Sequence, residues 1–588
     1  MGRAKAVVGQ SRRDISRVRR IATAPPASLL VACLWLAALL AYSNSFRGEL
    51  VMDSRGLILD DSRVHAATSA NVRGILTGEY WSAVTAGGLY RPLTKLTYLF
   101  NYAILGSGPS PAGYHWVNFF IHGVNMTLAY CLGLVLFKQS WHAFALAAFW
   151  GLHPLLTESV TNVVGRADLL AGFAVLAGLL CHIRSGRRKW PWLAALAGVM
   201  AIGIFSKESA AVLVAVMVIY DFTCRKFNWP AYVSVAIPLA FYTWARLHVL
   251  RGLYSAARPF TDNPLVGADF WAARLTAVKV VGRYLLLLIW PARLSCDYSY
   301  NEVPLAGWSD FGALLSLLAC AGVAFAAFQS LRDRRVLFFF IALFFATLLP
   351  VSNLVVIIGS VMAERFLYLP ALGFAGCVVF LLRAPSPWAR FAMAAACTLL
   401  AVRTYARNDD WRDERSLWGS AVLAAPGSYK THMAAAGDLP LRAAKVELER
   451  ALAILDPLPD QSNAPVAYIN AGGMYRDFGD AAPPPNRAAW YRKSLDTLLR
   501  GRRIQAASGT VVWYQLYVEL GETQVRLGEP DGAAISFFQG SLTDPSNAGL
   551  RARLADTLRF ANHERVCALA RDLRPPQPAL SDLGCAQQ

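Results

Sequence analysis

Charge is what this sequence has least of. Only 16% of its 588 residues are Asp, Glu, Lys or Arg, against about a quarter in soluble domains. With 55% hydrophobic residues and a mean hydropathy of +0.37, that shortage excludes an ordinary soluble enzyme and makes lipid the solvent for much of the chain. Metal-ligand patterns are missing as well. The ten cysteines include no CxxC pair and no Cys/His ligand spacing, so neither a zinc module nor a disulfide framework is expected. Cys33, Cys131, Cys181, Cys224, Cys320, Cys377 and Cys397 lie in apolar runs, where a thiol is a small hydrophobe. Cys567 and Cys585 lie in the polar tail; they pair if that tail faces an oxidising compartment and otherwise are two free thiols. Acids are short relative to bases, 38 against 57. A nucleic-acid partner is not expected, because the cations gather at the ends of apolar runs rather than on one face among stacking aromatics.

What is present is hydrophobic periodicity on a large scale. A basic tail, residues 1–27, holds Arg3, Lys5, Arg12, Arg13, Arg17, Arg19 and Arg20 against the single acid Asp14, and an apolar run from Ser28 to Ser43 follows. A cleaved signal peptide is the competing reading, but AYSNSFRGEL lacks a small-x-small cleavage site. The run reads as a first helix with its N-terminus in the cytoplasm. Further runs centre near residues 125, 150, 175, 198, 216, 240, 281, 319, 345, 374 and 396. The run near 281 carries Lys279 and Arg283, which suits an interfacial element better than a span. If it does not cross, Lys138, Arg184 to Lys189, Arg225-Lys226, Arg332 to Arg335, and Arg383 with Arg390 all fall on the tail's side, as positive-inside topology requires. The expected fold is therefore all-α and polytopic, with about 11 spans over residues 28–406 and a large first outer loop, 46–112.

Residues 407–588 are polar and helix-patterned, and this arrangement puts them on the outer side. Leu520, Gly521, Gly528, Ala533, Phe537, Gly540 and Pro545 fall at tetratricopeptide spacing. Ala444, Leu448, Ala451 and Pro457 form a weaker copy, and Gly472, Tyr475, Gly479 and Tyr491 a third. Tandem copies point to an α-solenoid, since each repeat buries its face against a neighbour.

The candidate chemistry also falls at the outer face. Asp53 follows Leu50, Val51 and Met52 in the first loop, and an acid beside a low-dielectric boundary suits a general base. Asp60-Asp61 read as a solvated loop. His115, Asn118 and His122 share one helix face and are more often helix–helix hydrogen bonders than ligands. HPLLTESVTNVVGRADLL brings His153, Glu158, Arg166 and Asp168 to one tight hairpin; Lys207-Glu208 sit at another, and Glu364-Arg365 open a later span. Arg91 completes the set. The bland reading is a group of ion pairs fixing helix packing, such as Glu158 with Arg166 or Glu364 with Arg365. The functional reading is that cations at a membrane surface hold a lipid phosphate while an acid deprotonates an acceptor hydroxyl.

The succession VMDSRGLILDDSRV, YRPLTKLTY, YHWVNFFIH, LHPLLTESVTNVVGRADLLAG, FSKESA, RLSCDYSY and ERFLYLP, followed by a tetratricopeptide-like tail, resembles the transmembrane-and-tetratricopeptide-repeat (TMTC) family of GT-C glycosyltransferases, relatives of the protein O-mannosyltransferases. The resemblance covers about residues 30 to 430. It implies a GT-C membrane core and a polyprenyl-phosphate sugar donor, most often of mannose. It further implies transfer to protein Ser or Thr outside the cytoplasm, an acidic base in the first outer loop, and no metal or other cofactor. Asp53 is then the catalytic base, with Arg91, His153, Glu158, Arg166, Asp168, Lys207, Glu208 and Arg365 binding the donor phosphate or substrate. One departure stands out: the family usually has two adjacent acids in that loop, and here the pair is Asp53-Ser54. If the base is the first acid, Asp53 keeps the role; if the second, Asp60 or Glu158 takes it. The alternatives are a non-catalytic membrane scaffold presenting its repeats to partners, and a transporter, whose charges should lie near the bilayer midplane.

Overall fold

The computed structural model describes residues 26–81, 87–186, 189–251, 258–383, 386–509, 513–573, 583 and 585. All but the last two residues of the basic tail 1–27 lie outside them, as do positions 187 and 188 of the Arg184 to Lys189 cluster. Every apolar run read from the sequence is a helix, and no strand occurs among the described residues. The chain divides into two compact units.

The first unit takes in most of the chain up to Ala424. Its helices are α1 (Ala27–Tyr42), α2 (Ser69–Thr77), α3 (Pro92–Leu99), α4 (Ala112–Phe137), α5 (Ser140–Gly151), α6 (Arg166–Ser185) and α7 (Lys189–Ile204). There follow α8 (Leu213–Cys224), α9 (Trp229–Val249), α10 (Phe270–Ile289), α11 (Phe311–Asp333), α12 (Arg335–Leu348), α13 (Pro370–Leu381), α14 (Pro387–Asp410) and α15 (Glu414–Ala424). The helical segments 112–137, 163–185 and 311–333 are each long and apolar enough to cross a membrane, and α1 and α7 are shorter apolar helices. α6 is the centre of the unit: fifteen of its residues are buried, which suits an apolar helix surrounded by others. α11 is the opposite case. It buries Ala313, Ser316 and Ser330 while Leu314, Leu315, Leu317, Leu318, Phe325 and Phe328 are exposed. A continuous apolar face of that size is untenable in water and natural in lipid. α10 buries Ala273, Ala277, Val280, Tyr284 and Leu288, and its Lys279 pairs with Asp310 at 2.6 Å.

Polar side chains tie these helices together. His115 bonds the Gly48 carbonyl at 3.1 Å. The Asn118 amide donates to the Val160, Asn162 and Val163 carbonyls. His122 bonds the Tyr368 hydroxyl and the Gly151 carbonyl, both at 3.0 Å. The shared face of α4 is thus occupied by hydrogen bonds to neighbouring turns and helices.

The second unit joins Ala425–Gln588 with the segments Ala257–Ala268 and Asp297–Pro304. It begins later than the change of character read near residue 407. α14 runs on past its apolar stretch to Asp410, and α15 buries Leu417, Trp418 and Ala421 within the first unit. Its helices are α16 (Tyr429–Gly437), α17 (Leu441–Leu455), α18 (Pro465–Ala481), α19 (Pro484–Ser508), α20 (Tyr514–Leu527), α21 (Pro530–Thr543), α22 (Ala548–Leu558) and α23 (His563–Arg571). They pair as hairpins α16/α17, α18/α19 and α20/α21, and these hairpins hold the three sequence copies. Gly528, at φ 76°, caps α20 in the left-handed region, and Pro530 opens α21, the expected asymmetry of helix ends. Leu520, Ala533 and Phe537 are buried, as are Ala444, Leu448, Ala451, Tyr475 and Tyr491. Cys567 and Cys585 form a disulfide, resolving in favour of pairing what the sequence left open.

In the first loop Asp60 is exposed, as a solvated loop requires, but Asp61 is not. Asp61 lies 2.6 Å from both Arg63 and Lys95, and Asp61 and Lys95 are each 2% exposed. Burial alone would raise the Asp61 carboxyl, but the bonds from Arg63 and Lys95 outweigh it and hold it down to about 2. Such a depressed carboxylate contributes stability that is complete above its unfolded value near 4 and is lost as pH falls toward 2. Asp61→Asn leaves Lys95 buried without its charge partner. It should lower stability by about 3–5 kcal/mol and flatten that acid limb, both read from thermal unfolding of the purified protein between pH 2 and 7. Equal melting of variant and wild type would show that the pair adds nothing.

Candidate active site

The loop that carries Asp53 has an unusual backbone. Met52 is in the left-handed region at φ 52°, a conformation that costs a side-chain-bearing residue about 1 kcal/mol or more and persists only where its surroundings hold it. The holding group is Glu414. Its Oε1 accepts the Met52 amide at 2.6 Å, and its Oε2 accepts from Trp418 Nε1 at 2.6 Å. The backbone is anchored again where Glu49 N donates to the Arg412 carbonyl at 2.8 Å. The turn that results sends neighbouring side chains in opposite directions. Ser54 is fully buried, its hydroxyl 3.5 Å from Asn162 Oδ1, whereas Asp53 is exposed. The sequence expectation was a carboxylate in an apolar setting; the turn instead presents it to the open side of the loop.

Around this loop the unit collects three ion pairs from sequence-distant segments. Arg91, capping α3, chelates Glu208 Oε2 through Nε at 3.0 Å and Nη2 at 2.8 Å. Lys207 Nζ lies 2.5 Å from Asp168 Oδ1 in the first turn of α6. Arg365 Nη1 lies 2.5 Å from Glu158 Oε1, and the Arg365 backbone amide donates to Oε2 of the same carboxylate at 2.7 Å. Tyr242 and Arg246 of α9 also approach Glu208, at 3.4 and 3.7 Å. The pairs are one electrostatic cluster. Burial pulls the Arg365 guanidinium down, but Glu158, then Asp168, and also Asp53 push it above the usual range. Burial likewise lowers Lys207, with Asp168 opposing and Arg91 and Arg365 adding to the fall. For Glu208, Arg91 outweighs burial and holds the carboxyl below its usual value. Asp168, Lys207 and Arg365 line a cavity of about 30 Å³ with Thr347 and Tyr368, room for a water but not for a phosphate. Arg365 is the most accessible of the three cations, its side chain 33% exposed against 17% for Arg91 and 11% for Lys207.

Of the residues singled out in the sequence, Asp53, Arg91, Glu158, Asp168, Lys207, Glu208 and Arg365 come together here. Arg166 and His153 do not. Arg166 has no exposed surface. Its Nε donates to Asn118 Oδ1 at 2.8 Å, Nη1 to Asn101 Oδ1 at 2.6 Å and the Thr97 carbonyl at 3.1 Å, and Nη2 to the Tyr114 carbonyl at 3.1 Å. Each guanidinium nitrogen is engaged inward, so this geometry suits a packing cation rather than a phosphate ligand, and its partners are neutral oxygens rather than Glu158. His153, also buried, accepts from the Leu155 amide and bonds the Leu288 carbonyl at 3.0 Å; it caps a turn. Glu364 pairs with Arg407 at 3.5 Å, both fully buried, and accepts the Ser295 amide at 2.6 Å, so it is not the partner of Arg365. Sequence reasoning missed Glu414 and Arg246. Glu414 opens a short amphipathic helix, a position where an acid ordinarily faces water, and nothing in its neighbourhood signals Met52.

No family model matches the chain, and no solved structure matches it. Curated relatives do match. The Drosophila melanogaster protein O-mannosyl-transferase Tmtc3 is 29% identical over 473 residues, covering 66% of this chain and 51% of its own length. Human protein O-mannosyl-transferase TMTC3 is 26% identical over 442 residues, covering 67% of this chain and 46% of its own. Human protein O-mannosyl-transferase TMTC4 is 28% identical over 490 residues, covering 71% and 65%. The chain spans about half the length of the first two of these relatives. It is a homologue of the TMTC protein O-mannosyl-transferases, the family that its own motifs resemble.

Proposed function

We propose that the chain is a membrane glycosyltransferase that moves mannose from a polyprenyl-phosphate donor to Ser or Thr hydroxyls of an acceptor protein outside the cytoplasm. The observation that carries the proposal is the meeting of an exposed carboxylate, Asp53, with the cations Arg91, Lys207 and Arg365 at one end of the helical unit. The names of the curated relatives support the reaction class. In the inverting reaction Asp53 takes the acceptor proton as the hydroxyl oxygen bonds the anomeric carbon. The bond from that carbon to the phosphate oxygen breaks on the opposite side, and polyprenyl phosphate departs with the electron pair. Arg365, with guanidinium nitrogens beyond the one bonded to Glu158 and a third of its side chain accessible, is the first phosphate ligand. Lys207 and Arg91 lie behind it. Developing charge on a leaving phosphate is where preorganised cations help most. Glu158 and Asp168 hold the cations in position. No metal is invoked, since a monophosphate leaving group neutralised by Arg and Lys needs none.

Residues 28–406 then form a GT-C-like core of about 11 spans, with α10 lying along the interface. The helical hairpins of the second unit are a tetratricopeptide-type array on the outer side, available to an acceptor protein. The Cys567–Cys585 disulfide supports that side, because disulfides persist in oxidising compartments. A second reading, a scaffold without transferase activity, is favoured by one observation: each cation of the cluster already has a carboxylate, as in a network built only for packing.

Intact-mass analysis of outer-surface proteins from cells with and without this gene separates the two readings. A transferase leaves a hexose ladder that vanishes on deletion; a scaffold changes nothing. Asp53→Asn, which keeps the shape but cannot accept the proton, should abolish transfer without loss of folding, and Asp60→Asn should be nearly silent. An undiminished rate in Asp53→Asn would remove Asp53 as the base. Arg365→Gln loses a charge-assisted bond worth about 1.5–3 kcal/mol, so donor KM should rise roughly 10- to 150-fold; it also leaves the buried Glu158 without its charge partner, so melting should fall as well. Arg166→Gln, which strips a buried hub, should lower stability without raising donor KM in the molecules that fold. For orientation, a cysteine introduced at Asp460 should react with a membrane-impermeant maleimide in intact cells once any outer membrane is permeabilised. Labelling only after lysis would place the second unit inside.

A further inference from the structure

A second cationic site lies at the opposite end of α6 from the candidate active site. Asp168 and His182 are fourteen residues apart on this helix, which separates them by about 21 Å along its axis. Near His182 a cavity of about 750 Å³ opens between the end of α8 and the α11–α12 junction. Its cations are Arg225, Lys226, Arg332 and Arg335, of which the first three are exposed. Among the described residues no carboxylate lies within ion-pair distance of any of the four. Arg335 donates to the Thr223 carbonyl at 3.3 Å. The single acid in the lining, Asp221, is buried and faces the wall: His182 Nε2 lies 2.6 Å from Oδ1, and the Tyr232 hydroxyl donates to Oδ2 at 2.8 Å. The cavity therefore keeps an excess of positive charge, unlike the candidate active site, where each cation is paired.

Much of the remaining lining is apolar, and part of it is turned outward. Val218 is 50% exposed, Phe222 62% and Phe227 76%; the Phe222 ring packs tilted against Phe338, with centroids 5.7 Å apart. Cations placed only to orient helices need no cavity, and a site for a soluble anion needs no exposed aromatic wall. Here the two features are continuous, with a cationic end and an apolar flank along α8. We propose that this cavity binds an anionic phospholipid, its phosphate among Lys226, Arg332 and Arg335 and one acyl chain along Val218, Phe222 and Phe338. Basic recesses between membrane helices bind acidic headgroups by this combination of charge and apolar contact. On the topology proposed above the lipid belongs to the cytoplasmic leaflet, but the binding itself depends on neither that topology nor the transferase reading.

The test uses the full chain in nanodiscs of phosphatidylcholine with a minor fraction of phosphatidylglycerol, followed by detergent release and native mass spectrometry of retained lipid. Wild type should retain phosphatidylglycerol in preference to phosphatidylcholine. Lys226→Gln/Arg332→Gln, which removes two exposed cations and, among the described residues, no side-chain hydrogen bond, should lower that retention about thirtyfold with an unchanged melting curve. Phe222→Ala should lower it while leaving every cation in place. Arg390→Gln, at another basic helix end, should retain as much as wild type. Equal retention in the double variant, or an equal loss in Arg390→Gln, overturns the site. Equilibrium dialysis in lipid-free neutral detergent distinguishes a free anion: wild-type binding of inorganic phosphate without any preference for phosphatidylglycerol would overturn the lipid assignment.

Discussion

The first unit is organised around the need to satisfy a buried guanidinium. Arg166 sits at the N-terminus of the most buried helix with no surface of its own. A cation there is tolerable only if oxygens surround it, because an unpaired charge in a low-dielectric interior costs several kcal/mol. Those oxygens come from Thr97, Asn101, Tyr114 and Asn118, with the rings of Tyr98 and Tyr114 within 6 Å. α3, the turn that follows it and the start of α4 are thereby drawn against α6. Arg91 at the start of α3 and Asp168 in the first turn of α6 take their places as a consequence.

A second fixed point, Tyr368, acts on the other side of the cluster. Its hydroxyl meets His122 and Asn125, and its carbonyl accepts from Trp150 Nε1 at 2.8 Å. The turn holding Arg365 is thus fastened to α4 and α5 three residues downstream. Glu158 then grips Arg365 by backbone and side chain together. This degree of constraint matters for chemistry at a membrane surface. A long cation that must find its geometry for each reaction loses much of its benefit in ordering and in solvent reorganisation, whereas one held in advance by a carboxylate does not. The carboxylate also competes with any incoming phosphate. In the proposed transferase the exposed edge of Arg365, and not its charge alone, makes it the point of entry.

How much of this was legible in the sequence follows from the range of the interactions. Helices are read from local periodicity, so all twelve apolar runs were found, and the residues of the three tandem copies near the C-terminus fall within helical hairpins. The convergence of Arg91, Lys207, Glu208, Glu158, Asp168 and Arg365 was legible as a shared end of the bundle, because charge at helix ends in an apolar chain is rarely idle. The pairing within the cluster was not. Glu158 was matched with Arg166 and Glu364 with Arg365 on nearness in sequence; the structure matches Glu158 with Arg365 across 207 residues and Glu364 with Arg407 in the last turn of α14. Which cation faces solvent depends on a few degrees of rotation at a helix start, and no pattern in the sequence reports that. The same limit hid Glu414, whose role depends on a left-handed residue more than 360 positions earlier.

The pair Asp53-Ser54 shows how that rotation bears on chemistry. A turn that buries one side chain of an adjacent pair turns the other outward. At position 54 the side chain is sealed in with Asn162, with no exposed surface at all, and an ionised acid there would carry a large desolvation cost unless a cation answered it. A serine satisfies the same space with one weak hydrogen bond. At position 53 the carboxylate stays in reach of the open side and of the Arg365 field. The serine therefore occupies the buried position of the pair, and the exposed position carries the carboxylate that the proposed reaction requires.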